Sequence, residues 1–389
     1  MRNIKDYGAV GDGKVLDTEA IQKAIDAGGM VYVPEGIYKI GTLYLKSNGG
    51  LHLAPGAILR GSHNREDYKE DNFCPQNRVF ASELVTGAHL ITAVEQDNVI
   101  IEGHGTIDGQ GDFWMNESNV QKGWPDAEKR DYAANPERPA QMIFFCECKN
   151  VRVTDVNIIN GPYWHLFFHG CEDVFARGLN IKGDRPRWTN DGIDVDCCSR
   201  VTISDCIIDV GDDGLTLRGY DEPLLYNSGR CEKVTVSNCV IRSARDYGVR
   251  IGVGDGLICN CCLSNLDIEA PNVGGIGIMG RWSPTTKTSS SVENILFSNC
   301  NVRSRKAIDI YTAAGEDELA NECYIKNIRF DNMIIETDEQ CSIQGAKDGK
   351  VENIIFSNIY VNCIENQTEP ICVKEAEGVE YYNLKTNQN

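Results

Sequence analysis

Three aspartates set in two glycine-bearing turns are the residues of this chain whose types and spacing could do chemistry. The first turn reads Thr189-Asn190-Asp191-Gly192-Ile193-Asp194-Val195-Asp196, the second Gly211-Asp212-Asp213-Gly214-Leu215. Carboxylates gathered in one place repel and raise one another's pKa, so a fold gains no stability from the clustering itself. A protonated carboxyl beside an ionised one can protonate a leaving oxygen while its neighbour activates water, which is what glycosidic hydrolysis requires. Two other readings use the same residues: Asp and Gly commonly form turns, and clustered carboxylates can hold Ca²⁺. The site reading is the stronger if the surrounding elements stack one turn on the other.

Those elements form a repeat. A short phrase keeps returning: an Asn or charged residue, an alternating β-branched run, a small polar turn, then another short strand. It begins at Asn98, Asn150, Asp173, Arg200, Lys233, Asn294, Asn327 and Asn353, with a degenerate copy near residue 257. Alternation of apolar and polar residues is the period of a strand. The interval is irregular and longer than the ~20 residues of a minimal coil, as expected where loops bulge from one side. No copy could bury its apolar face alone, whereas stacked copies would share one core. The pattern predicts an all-β, right-handed parallel β-helix forming a single domain over 1–389. Residues 1–97 would be the N-terminal cap and first coils, and 98–389 the coils that carry the site. The run Asp17–Ile25 predicts an amphipathic helix with Ala20, Ile21, Ala24 and Ile25 on one face and Asp17 or Thr18 as cap, closing the open end. Equivalent positions of successive coils lie one strand spacing apart, ~4.8 Å, so Asp191 should stand beside Asp212 and Asp213.

Composition narrows the partners. The chain has 389 residues, 41% hydrophobic, with 38 glycines and 12 prolines, which suits many short strands joined by tight turns. A formal net charge of −19 argues against a nucleic-acid partner, since a phosphate backbone needs a basic surface. It leaves room for a small anionic ligand held by a few local arginines. No run approaches the ~18 apolar residues of a membrane span, so no membrane partner is expected. The 17 cysteines include the close pairs Cys146/Cys148, Cys197/Cys198 and Cys261/Cys262, whose spacing does not match zinc knuckles, and His169 is the last of six histidines. No metal and no cofactor are therefore expected. Cysteines such as Cys206, Cys239 and Cys300 recur at one place in the repeat and read as small buried hydrophobes. Unpaired thiols and the lack of a leader-like apolar start favour a cytoplasmic protein.

Several segments together resemble glycoside hydrolase family 28, the polygalacturonase-like enzymes. They are Asp6–Lys14, Thr18–Gln22, Val31–Tyr38, Gly103-His104-Gly105-Thr106-Ile107-Asp108-Gly109-Gln110-Gly111 and Asn160-Gly161-Pro162-Tyr163-Trp164. The family's N-T-D motif is matched by Thr189-Asn190-Asp191, with the first two residues altered, and its G-D-D by Gly211-Asp212-Asp213. The resemblance implies a hydrolase with Asp212 as general acid and Asp191 and Asp213 activating water, by single-displacement inversion. It also implies a pectin-type oligosaccharide as substrate. Two departures stand out. Where the family often has G-H-G, the chain has Tyr247-Gly248, followed by Val249 and Arg250. Where an R-I-K motif grips a uronate carboxylate, it has Gly277-Ile278-Met279. Arg281 keeps the strand face of 277 and 279, and Arg250 and Arg218 are the other candidates to meet a carboxylate. The missing cations make rhamnogalacturonan fragments or a less charged glycoside candidates alongside galacturonan.

Asn190, Tyr247 and Trp164 complete the expected substrate-binding set. Trp114, Trp124, Tyr132, Trp188 and Trp282 are further aromatic residues beside it, since sugar rings pack on aromatic faces. A long loop over 112–140 could wall off one end of a cleft and so favour exo action. A lyase on the same fold would use a lysine or arginine base with Ca²⁺, and the central coils lack the lysine. A non-catalytic glycan-binding β-helix is the third reading.

Overall fold

The computed structural model describes all residues except 78, 80–82, 115–134, 186, 221, 228, 282–287, 314–321, 347, 348, 367, 388 and 389. Trp124, Tyr132, Trp282 and most of the 112–140 loop thus lie outside the described residues. The chain is a right-handed parallel β-helix, and among the described residues its strands pair in parallel, apart from an isolated antiparallel Ala346–Gly349 bridge. Three ladders run the length of the solenoid. One carries Ile91–Val94, Ile143–Cys146, Leu166–His169, Ile193–Asp196, Leu215–Gly219 and Tyr247–Gly254. The second carries Asp97–Gly103, Lys149–Thr154, Glu172–Arg177 and Ser199–Ser204, and the third Thr106–Asp108, Asn157–Ile159, Asn180–Lys182 and Ile207–Val210. Beyond residue 230 the second and third ladders run through continuous strands such as Arg230–Ser243.

Register explains the core. Ile91, Ile143, Leu166, Ile193, Leu215, Val249, Ile276 and Ile308 are successive partners in one column and are fully buried. Their neighbours in sequence point outward by strand alternation. In the site's ladder that outward row is Phe167, Asp194, Thr216, Arg250, Gly277 and Asp309.

The recurring asparagine has a backbone cause. Asn98, Asn150, Asn260, Asn294, Asn327 and Asn353 all have φ between 54° and 57°, the left-handed region that Asn tolerates better than most residues. Their amides bond coil to coil: Asn327 Nδ2 donates to Asn294 Oδ1 at 2.9 Å, and Asn353 Nδ2 to Asn327 Oδ1 at 2.7 Å. Asn327→Ala loses both bonds and strains the turn, so it should cost about 1–2 kcal/mol in urea unfolding. Asn327→Gly, which loses the bonds without the strain, should cost less; equal losses would refute the conformational account.

All the cysteines are free thiols, and all but Cys74, Cys262 and Cys372 are buried. Cys148, Cys171, Cys198 and Cys231 form one column, adjacent to the paired Lys149, Glu172, Ser199 and Glu232. Their thiols donate to carbonyls of the preceding coil, as Cys148 Sγ to Ala93 O at 3.3 Å and Cys198 Sγ to Phe168 O at 3.4 Å.

The N-terminal helix is Thr18–Asp26, with Ile21, Ala24 and Ile25 buried. Its capping differs from the sequence expectation. The Asp17 side chain makes no cap bond and instead accepts from the Val10 and Gly11 N–H groups, while Thr18 Oγ1 accepts from Gly41 N–H. Both side chains are drawn off to bind backbone of the neighbouring segments. No helix of the described residues is long and apolar enough to cross a membrane.

Candidate active site

Asp191, Asp212 and the pair Asp246/Tyr247 each sit in the turn that enters a strand of the first ladder, and consecutive coils bring those turns together. Gly192 N–H donates to Asp213 O, and Gly214 N–H to Tyr247 O, so Asp191, Asp213 and Tyr247 are register neighbours. The glycine after each aspartate is required by packing. A Cβ on Gly192 would lie 2.4 Å from Gly214 O, and one on Gly214 would lie 2.6 Å from Gly248 O. The Asp-Gly pairs thus record the close approach of coils as well as the turn.

The acidic turn is held from behind. Asn190 Oδ1 accepts from both Gly211 and Asp212 N–H at 2.9 Å, and its Nδ2 donates to Asp184 O at 2.8 Å. Its amide is committed to fixing the second turn, and Asn190 is buried. Thr189 has φ 59°, uncommon for a β-branched residue. It is held there by Arg138, whose Nη1 donates to Thr189 Oγ1 at 2.9 Å, while the Thr189 N–H donates to Asp212 Oδ2. Strain of this kind tends to collect at functional sites. His165, buried on the preceding coil, bonds Asp191 O through Nδ1 at 2.8 Å and accepts from Gly161 N–H at Nε2. Burial pushes its pKa down to about 4, so it is a neutral support for the Asp191 backbone.

Burial raises all of the clustered carboxyls. Burial, then the Asp246 carboxylate, pushes Asp212 up to about 7 against the Arg250 guanidinium. Burial, then Asp212 and Asp194, pushes Asp191 well above the usual carboxylate range. Asp191 Oδ1 is buried with no hydrogen-bond partner among the described residues. Burial pushes Asp213 well above the usual carboxylate range too, against the Arg250 guanidinium, whose Nη1 lies 2.8 Å from Asp213 Oδ2. Asp213 Oδ1 also accepts from Tyr247 N–H at 3.1 Å. Outward on the next strand, Asp194 bonds Arg218 at 3.1 Å, and burial lifts its pKa to about 6.

The other expected binding residues fall in different places. Arg218 sits 4.2 Å over the Trp164 ring, and Trp164 is buried against Tyr163 and Phe167. Tyr247 turns its hydroxyl away from the acid and donates to Asp309 Oδ2 at 3.0 Å. Its ring fills the space over Gly277, where a Cβ would lie 2.7 Å from Cε1. Arg281 is buried at the end of Leu257–Arg281, four residues beyond Gly277 and so ~13 Å along the strand from the Arg250 row. Trp188 is buried beneath the Arg245 guanidinium at 4.6 Å, and Trp114 is buried against Tyr68 and Phe113.

Sequence reasoning missed Asp246 and His165. The signal for Asp246 was its place directly before Tyr247, in register with Asp212. His165 acts through backbone bonds that carry no motif. One oxygen each of Asp212, Asp213 and Asp246 lies within 4.8 Å of the others, a spacing that could hold a cation. Arg250 bonds both Asp213 and Asp246 and already supplies positive charge there.

The parallel β-helix carries its buried carboxylate cluster on turns of consecutive coils. The model of glycosyl hydrolases family 28 matches residues 76–377, and the chain belongs to that family. The chain is similar to an endo-polygalacturonase of Pectobacterium parmentieri, 25% identical over 88% of this chain and 83% of that protein. It is also similar to an exo-poly-alpha-D-galacturonosidase of Dickeya chrysanthemi, 28% identical over 55% of this chain and 41% of that one. The chain spans less than half the length of the first curated relatives it matches. Among solved structures, an exopolygalacturonase from Thermotoga maritima superposes with a TM-score of 0.76 at 22% identity, over 98% of this chain and 91% of that one.

Proposed function

We propose that this chain hydrolyses a glycosidic bond in pectin-type oligosaccharides, galacturonan or rhamnogalacturonan, acting from a chain end by inverting single displacement. Asp212 protonates the leaving oxygen, and Asp191 with Asp213 positions and deprotonates the water. The observation that carries the reading is the stacking of the acidic turns, which brings Asp191 beside Asp213 and sets Arg250 Nη1 2.8 Å from Asp213 Oδ2. Asp212 and Asp213 approach more closely than the ~6.5–9.5 Å of an inverting acid and base. Asp191, whose buried Oδ1 has no hydrogen-bond partner among the described residues, is the member of the water-binding pair on the coil before.

Chain-end action is supported by what covers the coils before the site. Phe144, Tyr163, Trp164 and Phe167 form a buried outer cluster, and Arg138 donates to Glu83 O, Leu84 O and Pro162 O across it. This cover narrows the room for a long polysaccharide over those coils. A lyase is disfavoured because Arg218 and Arg250 are both paired with aspartates and so are poor bases.

The test is a panel of defined galacturonan and rhamnogalacturonan oligosaccharides with the product anomer followed by NMR. Inversion and stepwise release of end units are expected. Retention would refute the single displacement, mid-chain products would refute exo action, and a product with a new ultraviolet-absorbing double bond would replace hydrolysis by elimination.

A further inference from the structure

Arg250 stands on the outward row between Thr216 and Gly277, one coil after the second acidic turn. Its guanidinium has two arms, and both end on carboxylates of the chain. Nη1 lies 2.8 Å from Asp213 Oδ2, and Nη2 bonds Asp246 Oδ1. Asp246 is fixed in turn, its N–H donating to Ser243 Oγ at 3.1 Å, and Ser243 Oγ donates to Asp212 O at 2.7 Å. The same few atoms therefore tie Asp246, Arg250 and both aspartates of the Gly-Asp-Asp turn into one network.

The two departures of this chain belong together. The Tyr247 ring is too large to share its space with a side chain at 277, and glycine there gives it room. With its hydroxyl on Asp309, Tyr247 offers the catalytic carboxylates only its backbone N–H. The charge facing them comes from Arg250.

We infer that Arg250, anchored by Asp246, is the counter-ion and positioning residue of the water-activating Asp213, and not a receptor for a substrate carboxylate. The inference rests on the hydrolytic reading above. Both arms of the guanidinium end on carboxylates of the chain, so its charge is already balanced, although Nε has no hydrogen-bond partner among the described residues. Both aspartates feel the same charges. Asp213 is faced by Asp212 on its own turn, by Asp191 on the coil before, and by Asp246, Tyr247 and Arg250 on the coil after. Asp212 is faced by Asp246, Arg250, the Thr189 N–H and, from the covering loop, Glu83. Arg250 favours the ionised form of both carboxyls and Asp246 the protonated form of both, and the direct 2.8 Å contact of Arg250 Nη1 is with Asp213.

Arg250→Gln, Arg250→Lys and Asp246→Asn are compared with the wild-type chain, each checked for folding by thermal melting. Kinetics and pH profiles are read on the oligosaccharide the wild type cleaves, and aspartate carboxyl resonances are titrated by ¹³C NMR. Arg250→Gln should lower kcat about 10–100-fold, leave KM within about twofold, and move the acid limb and the Asp213 titration up by about one pH unit. Arg250→Lys, which keeps the charge but not the fork, should restore part of both. Asp246→Asn should move the Asp212 titration and the alkaline limb down. Should Arg250→Gln fail to fold, the other two variants still decide. A KM that rises tenfold or more for uronate substrates, with kcat and pH profile unchanged, would make Arg250 a carboxylate receptor and overturn the inference. If the wild type cleaves no glycoside, the hydrolytic reading falls. An Asp213 titration unmoved in the Arg250 variants would still overturn the counter-ion assignment by itself.

Discussion

Asp212→Asn is expected to lower kcat by about 10²–10⁴-fold with KM little changed, the span that a positioned general acid contributes. An amide of the same shape keeps the turn but has no proton to give to the departing oxygen. The loss falls on kcat and kcat/KM together because the proton moves only in the transition state. The wild-type pH profile supplies the matching signature. The acid must be protonated to work, and Asp212 is held up to about 7 by burial and by Asp246. The rate should therefore fall as pH rises through about 7, and this limb should vanish from the residual activity of Asp212→Asn. Steady-state kinetics from pH 4 to 9 would show it. A variant retaining activity within a few fold of wild type would remove Asp212 from the acid role.

Much of the architecture was legible because the repeat is written in residue types. Asparagines at left-handed turn positions and alternating β-branched runs announce coils, and coil stacking alone brings Asp191 beside Asp213. The helix at Thr18–Asp26 could be read from its apolar face, but not its capping, since Asp17 and Thr18 bind backbone of segments that only the fold brings near. The stacking of the candidate site was legible to the extent that its residues are neighbours in sequence. Asp246 and His165 escaped because their roles depend on which atom of which coil they face. Arg250 could be named as a cation near the site but not as a counter-ion, because burial and its second partner, Asp246, are tertiary facts. Asn190, Trp164 and Tyr247 show the same limit. Each has a side chain suited to a sugar, and each spends it on Asp184, Arg218 or Asp309.

Raising the pH from 4 to 7.5 should weaken the fold, and Asp212→Asn should lose less over that range. A carboxyl whose folded pKa is raised prefers its neutral form in the native state. Its contribution is fully present below the unfolded value and is lost as pH climbs through the folded one. For Asp212 that window runs from its ordinary 3.8 to about 7. At about 1.4 kcal/mol per pH unit, the loss for this one group is about 2–4 kcal/mol. Asp191, Asp194 and Asp213 shift in the same direction and add to the wild-type slope. His165 works the other way: lowered to about 4, it stabilises the fold increasingly as pH rises to its unfolded value. Both chains carry His165, so it cancels in the difference, which reports Asp212 together with its charge coupling to Asp191 and Asp213. The amide has its own cost, because Thr189 and Asp213 each donate an N–H to a different oxygen of Asp212 and the variant turns an NH₂ toward one of them. That costs about 1–3 kcal/mol at every pH, so the two chains are to be compared by slope and not by absolute stability. Urea midpoints at half-unit steps from pH 4 to 8 give the slopes. Parallel curves for wild type and Asp212→Asn would mean that Asp212 is ionised in the native state across the range, and would remove the proton the proposed mechanism needs.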